Sequence, residues 1–300
     1  MTSSFAELSG QLANVVEQAA PFVVSVAAHP RHAASGLQWQ PGVVVTVEHP
    51  LRQANAAEVL LADGRTVMGK VAGRDATLGV AVLRVEDAAG AGVVTTSAPV
   101  RAGNLTVTVG RGRQGNVTAS MGIVSSVARA FQTWQGGVVD PLVQLDYSLY
   151  PSANGGAVVD ASGMVVGLAT SGFTRYGASA IPAAVLERVV ATVLEKGFVP
   201  RAFLGVGLRP VLLPRSMAEQ LEGAPESALL LLSVEPGSAA ARAGLQVGDI
   251  LCALDGSPTR EPEDVQNKLT PERIGAALAA VVLRGGQRLD VVLTVGEKEQ

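Results

Sequence analysis

The chain has 300 residues, of which 48% are hydrophobic, 16% charged and 4% aromatic, and its formal net charge is −3. This composition excludes a disordered chain and allows two or three folded domains. Without a basic run, nucleic-acid binding has little electrostatic support, and a single cysteine excludes an intrachain disulfide or a Cys-based zinc site.

Residues 1–21 predict an amphipathic helical segment. Apolar side chains recur at helical spacing from Phe5 to Ala19, and Pro21 ends the helix. No Lys or Arg precedes Arg31, so the segment lacks the basic start of a secretory signal. No window of about 20 apolar residues follows, as a membrane-spanning helix would need. We therefore expect a cytoplasmic protein with no membrane span.

Residues 22–199 predict a β-rich domain. Short runs of Val, Ile and Thr, such as GVVVTV (42–47), alternate with Gly, Asn and Pro. Many short strands at this spacing are typical of a β-barrel or a sandwich. One helix is predicted over 182–198, because Pro182 suits its first turn and Gly197 suits its end.

Residues 203–296 predict a second, smaller domain. Its pattern is strand, strand, short helix, strand, helix and hairpin, which describes a small α+β domain. A short linker, GFVPRAF (197–203), precedes it. The only cysteine, Cys252, lies in an apolar stretch and is interpreted as a small core residue.

The stretch GRGRQG (110–115) fits the Gly-x-Gly-x-x-Gly pattern of dinucleotide-binding loops. That motif requires a following helix, whose N-terminus binds the phosphates. Here the next residues predict a strand, so we interpret the stretch as a solvated loop carrying Arg111 and Arg113. We expect no cofactor and no metal.

The stretch YPSANGGAVVD (150–160) allows two interpretations. Asn154-Gly155 between apolar runs is typical of a type I′ hairpin turn, since Asn and Gly tolerate positive φ angles. The alternative is a catalytic loop whose usual residue is absent, and it depends on a family resemblance.

The second domain resembles a PDZ domain of the kind attached to bacterial proteases. The short motifs PGS, AGL, GDIL and DG occur in that order within VEPGSAAARAGLQVGDILCALDG (234–256). The resemblance implies that an extended peptide adds to the edge strand at 203–208, with the helix at 261–269 as the other wall. It assigns peptide binding to six residues: Phe203, Leu204, Gly205, Val206, Val265 and Leu269. The other interpretation is that the apolar residues among them only form the core.

The first domain resembles the trypsin-like protease domain of the HtrA (DegP/DegS) family. The resemblance covers GVVVTVEHPL (42–51), the run to RVE (60–86) and the segment around SANGGA (152–157). It implies a mainly β chain: a trypsin-like double β-barrel followed by a small α+β PDZ domain. The family's catalytic positions then fall at His49, Gly79 and Asn154, with the oxyanion position at Ser152.

These assignments predict a degenerate catalytic triad. The family has a serine where Asn154 stands and an aspartate where Gly79 stands, and an amide nitrogen is a very poor nucleophile. We therefore expect the chain not to be an enzyme, but a pseudoprotease that binds peptides or protein C-termini as an adaptor, scaffold or regulator. The alternatives are an active serine endopeptidase with a rearranged active site and a structural subunit without a peptide ligand.

The resemblance also bears on assembly. HtrA proteins form trimers through N-terminal segments, so the expected partners include a homotrimer or a mixed oligomer with an active relative. Packing of the N-terminal helix on its own barrel is the alternative. The sequence names neither the ligand nor the pathway.

Overall fold

The computed structural model describes residues 4–29, 32–51, 54–86, 88, 90, 92–96, 98–128, 131–132, 138–173, 177–219, 221 and 225–298. These residues divide into two compact units, Met1–Val199 and Pro200–Gln300. Among the described residues, no helix combines the length and the apolar character needed to cross a membrane.

A helix and a closed barrel open the first unit. They comprise α1 (Ser4–Ala19), β1 (Val23–His29), β2 (His32–Gln40), β3 (Val43–Val47), β4 (Ala56–Leu60), β5 (Thr66–Asp75) and β6 (Val80–Val85). The strand order around the barrel is β1-β2-β3-β6-β5-β4. Antiparallel pairing sets the end of β3, which leads to His49, beside the start of β6, which follows Gly79.

A second closed barrel follows, with the order β11-β14-β13-β12-β7-β8. The elements are β7 (Leu105–Arg111), β8 (Val117–Ala128), β9 (Phe131–Gln132), β10 (Val138–Val139), β11 (Leu142–Leu145), β12 (Ala157–Asp160), β13 (Val165–Thr170), β14 (Ala178–Pro182) and the helix α2 (Ala183–Lys196). The predicted C-terminal helix is confirmed, and Gly197 ends it with a left-handed φ of 83°.

Alternation along the strands explains how two barrels share one core. On β3, Val43, Val45 and Val47 join a cluster that includes residues of both barrels and both helices, whereas Val44 joins a cluster of first-barrel residues. Successive side chains of a strand point to opposite faces, so one run of valines fills both clusters. The predicted double β-barrel is confirmed.

The second unit contains a sheet with the order β16-β17-β18-β20-β21. Its elements are β15 (Arg201–Phe203), β16 (Val206–Leu212), α3 (Arg215–Ala218), β17 (Ser227–Val234), α4 (Ala239–Arg242), β18 (Ile250–Leu254), β19 (Ser257–Pro258), α5 (Pro262–Gln266), β20 (Ala277–Arg284), β21 (Gln287–Thr294) and β22 (Gly296–Lys298). Cys252 is buried, and burial raises the pKa of its thiol to about 11, as expected of an inert core residue.

One predicted helix is shorter than its sequence pattern. The helix expected over 261–269 ends at Gln266, so Leu269 lies outside it. The N–H groups of Lys268 and Leu269 donate to carbonyls three residues back, which tightens the chain into turns after the helix. Leu269 nevertheless packs against the same apolar cluster as Val265.

The prediction of a solvated Arg111 is wrong. Its side chain is buried, and it donates from Nε to the Val23 carbonyl at 2.7 Å, from Nη1 to Gly115 at 2.9 Å and from Nη2 to Ala20 at 2.8 Å. Carbonyl oxygens, rather than a carboxylate, accept from this guanidinium. Arg111 therefore joins the start of β1 to the end of β7, which sequence spacing could not indicate.

We expect Arg111→Ala to lower the free energy of unfolding of the first unit by about 2–4 kcal/mol, because three charge-assisted hydrogen bonds to backbone carbonyls are lost. Urea unfolding followed by circular dichroism measures this. Arg113→Ala is the matched control, since Arg113 is exposed and its bonds lie at the surface. Equal effects of the two variants would contradict the role given to Arg111.

Candidate functional site

Two of the three family positions meet at one end of the first barrel. Antiparallel pairing of β3 with β6 sets Val47 opposite Val80, and the N–H of Glu48 donates to the Gly79 carbonyl at 2.6 Å. His49 follows directly and begins a single 3-10 turn with its side chain exposed. Strand register therefore brings His49 and Gly79 together although they lie 30 positions apart in the sequence.

Gly79 has a backbone that suits glycine. Its φ is 64°, and an added Cβ would meet no atom within 4 Å. The nearest carboxylate in the sequence, Asp75, accepts from the N–H groups of Thr77 and Leu78 at 2.9 and 3.1 Å. Asp75 thus shapes the turn before Gly79, and this position lacks a side chain that could orient an imidazole.

The loop at Asn154 is not the type I′ turn that the sequence suggested. A 3-10 turn covers Pro151–Ala153, then Asn154 has φ −58° and ψ 130° and Gly155 has φ 81°. The N–H of Gly156 donates to the Ala153 carbonyl at 2.9 Å. These angles and this bond describe a type II turn with glycine at its third position.

Ser35 on β2 holds this turn against the first barrel. Its N–H donates to the Asn154 carbonyl at 2.8 Å, and its hydroxyl donates to the Ser152 carbonyl at 2.6 Å. An added Cβ on Gly155 would lie 2.2 Å from the Ser35 carbonyl and 3.0 Å from the Thr46 hydroxyl. Only glycine allows this approach, so the turn reaches the strand that leads to His49.

The side chain of Asn154 is engaged with a residue that the sequence did not single out. Its Oδ1 accepts from the N–H of Ser171 at 2.9 Å and from the Ser171 hydroxyl at 3.1 Å. Ser171 directly follows β13 and is exposed. No motif marks this serine, because only the pairing of β12 with β13 brings it to the turn.

The six residues predicted to bind peptide lie together in the second unit. β16 is an end strand of the sheet, and α5 packs beside it. Leu204 and Val265 belong to one apolar cluster, against which Val206 and Leu269 pack half-buried. The structure therefore brings the predicted groove residues together, and their binding of peptide stays a prediction.

The loop that enters β16 is held by hydrogen bonds from α4 and from the segment that precedes it. The carbonyls of Leu204 and Gly205 accept from Ala240 and Glu235 at 2.9 and 2.8 Å. Gly205 has φ 80°, and an added Cβ would lie 2.1 Å from the Cβ of Ser238. Within the described part of the chain, the N–H groups of Leu204 and Gly205 donate to no protein acceptor. Two N–H donors are thus available for a ligand.

Comparison with known families matches both units. Residues 34–168 match the trypsin-like peptidase domain, and residues 231–274 match the PDZ domain. A probable periplasmic serine endoprotease DegP-like of Rhizobium meliloti is 32% identical over 277 residues, which cover 89% of this chain and 54% of that protein. The putative serine protease HhoA of Synechocystis is 29% identical, over 85% of this chain and 68% of that protein. The chain spans about half the length of several curated relatives that it matches.

Solved structures agree with these relatives. The HtrA-type protease AlgW with a decapeptide has a TM-score of 0.73 and 26% identity, covering 96% of this chain and 99% of that one. AlgW S227A with a tripeptide has the same TM-score and 28% identity, covering 96% and 97%. The likeness extends over both units.

Two predictions are corrected by these comparisons. The prediction that the chain is not an enzyme is contradicted, because its relatives are named serine endoproteases or serine proteases. The motifs show that a serine and an aspartate are missing at their predicted positions. They do not exclude a catalytic hydroxyl from another segment of the domain. The expected cytoplasmic location is contradicted too, because relatives are named periplasmic.

The assignment of His49, Gly79, Asn154 and Ser152 to family positions rests on motif order and stays a prediction. The fold and the domain content do not depend on it. The chain therefore has a trypsin-like peptidase domain and a PDZ domain, and its homologues and structural neighbours include HtrA-type proteases.

Proposed function

We propose that this chain is a serine endopeptidase of the HtrA type with a rearranged active site, whose PDZ domain binds an extended peptide. The observation that carries the proposal is the loop at Leu204 and Gly205, with two available N–H donors at the start of an end strand. Relatives named serine endoproteases, several of them periplasmic, support peptide hydrolysis and the same compartment for this chain.

The groove suits a peptide with an apolar last residue. β16 offers backbone donors and acceptors along its outer edge, so an incoming strand can extend the sheet. Beside it, Val206, Val265 and Leu269 provide apolar side chains for the last residue. The N–H groups of Leu204 and Gly205 then provide donors for a terminal carboxylate.

Hydrolysis requires a hydroxyl other than the one the family uses. The amide nitrogen of Asn154 cannot attack a carbonyl, because its lone pair is delocalised. The hydroxyl of Ser171 donates a hydrogen bond to Asn154 Oδ1 at 3.1 Å. It therefore lies next to the residue that stands at the predicted position of the family's serine. We assign the nucleophile to Ser171 and the general base to His49.

In this mechanism the Ser171 oxygen attacks the peptide carbonyl carbon while His49 takes the hydroxyl proton. The C–N bond then breaks, and the proton passes to the leaving amine. Water hydrolyses the acyl-serine ester and restores the hydroxyl. Before the attack the Ser171 hydroxyl leaves its bond to Asn154 Oδ1 and donates to His49, while the N–H of Ser171 keeps its bond to Oδ1, so Asn154 has a positioning role.

We expect His49→Ala and Ser171→Ala each to lower the hydrolysis of fluorescent casein at least about 100-fold, because a base and its nucleophile act as a unit. Ser162→Ala is the matched control, since Ser162 is an exposed serine in the turn before β13. Mass spectrometry after a fluorophosphonate probe should locate the label on Ser171.

The result that overturns the hydrolytic assignment is equal turnover by wild type and His49→Ala, including no turnover by either. Label on Ser152 instead of Ser171 would move the nucleophile to the oxyanion position and contradict the assignment of Ser171.

We expect Leu269→Arg to abolish peptide binding by the full chain, because a charged side chain would enter the apolar side of the groove. Fluorescence anisotropy with free-acid peptides that end in an apolar residue measures this. Leu289→Arg is the control, since Leu289 lies partly exposed on β21 at the other edge of the sheet. Binding that survives Leu269→Arg would show that this groove is not used.

A further inference from the structure

The C-terminal strand lies directly beside the loop that we assign to carboxylate binding. β22 pairs antiparallel with β15, setting Lys298 opposite Arg201 and Gly296 opposite Phe203. Cross-strand partners project to the same face of a sheet, and so do residues two apart on one strand. Arg201, Phe203 and Lys298 therefore share one face of this two-stranded sheet, and Phe203 leads into Leu204 and Gly205.

Lys298 is fixed at this face by two contacts. Its Nζ lies 4.4 Å from the centre of the Phe203 ring and 3.6 Å from a carboxylate oxygen of Glu235. The Phe203 ring in turn lies against Gly205, with Cε1 3.2 Å from the position of an added Cβ. A chain of contacts thus runs from the ammonium group to the loop whose N–H groups are available.

Glu235 also contacts both Lys298 and the loop at Leu204 and Gly205. Its backbone N–H donates to the Gly205 carbonyl at 2.8 Å, while its side chain pairs with Lys298. Both side chains are about half exposed, at 45% for Lys298 and 55% for Glu235.

We propose that Lys298 determines the preference of the PDZ groove for peptides with a free terminal carboxylate. This inference rests on the proposed peptide binding. It adds that the groove recognises the negative charge of the peptide's terminal carboxylate. Backbone N–H groups can bind a carboxylate or an amide oxygen, whereas an ammonium group nearby favours only the charged form. Glu235 weakens that preference by partly neutralising Lys298.

The test uses the full chain and a fluorescent library of hexapeptides with apolar last residues. The tightest wild-type binder is then measured as the free acid and as the C-terminal amide. We expect Lys298→Met to weaken binding of the free acid about three- to tenfold and to leave the amide unchanged, since a partly exposed charge is screened by salt. Methionine is chosen because its unbranched, uncharged side chain can still cover the Phe203 ring.

Three further variants complete the test. Lys298→Arg should restore the free-acid preference, and Glu235→Gln should strengthen free-acid binding about twofold by removing a competing charge. Arg288→Met is the matched control, because Arg288 is a partly exposed cation on β21 and its loss should change neither peptide.

The outcomes separate the two proposals. If the wild type binds no library member, the proposed peptide binding fails. If the wild type binds the free acid, but Lys298→Met keeps the same ratio of free-acid to amide affinity, the role of Lys298 is overturned while peptide binding stands. A loss of both peptides by Lys298→Met would show that Lys298 only maintains the fold of the loop, which also overturns the inference.

Discussion

Two hydrogen bonds from one serine hold the candidate active site in shape. Ser35 belongs to the first barrel, and its N–H and hydroxyl bind two carbonyls of the turn at residues 152–155 in the second. A buried strand provides the donors, so the turn has little freedom to move. Whatever chemistry occurs at this turn therefore depends on the packing of one barrel against the other.

That packing is itself a consequence of strand alternation. Valines that face opposite sides of β3 enter two different clusters, one of which also contains residues of α1, α2 and the second barrel. Arg111 adds a polar link within the same region, because its guanidinium binds two carbonyls at the start of β1 and one in the loop after β7. Apolar burial thus sets the arrangement of the barrels, and buried polar groups fix the register of the loops.

In the proposed function, the first unit hydrolyses peptides and the second unit binds them. In the first, Asn154 Oδ1 accepts two hydrogen bonds from Ser171, the residue that we propose as the nucleophile. In the second, the loop at Leu204 and Gly205 combines available N–H donors with the charge of Lys298 nearby. Binding and hydrolysis can therefore be tested independently, by substitutions at Leu269 and at His49.

The sequence by itself determined the double barrel, the PDZ domain and the helix before Gly197. The helix and the strand-rich pattern follow from periodicity and turn residues, whereas the choice of a trypsin-like double barrel over a sandwich, and of a PDZ domain, came from the resemblance to known families. The resemblance to PDZ domains also selected the six groove residues, which the structure brings together from two distant segments, 203–206 and 265–269. The interpretation of the missing catalytic residues as loss of enzyme activity went beyond what the motif could decide, and the relatives contradict it.

Only the tertiary structure decided the contacts between distant segments. Ser35 reaches Ser152 across 117 positions and Arg111 across 76, and Asn154 meets Ser171 only because β12 pairs with β13. Leu269 lies outside its predicted helix but packs against the apolar cluster that contains Val265. Lys298 lies over the Phe203 ring because β22 pairs with β15. The physical reason is that periodicity reports which face of an element is buried, whereas hydrogen bonds and charges depend on which faces meet.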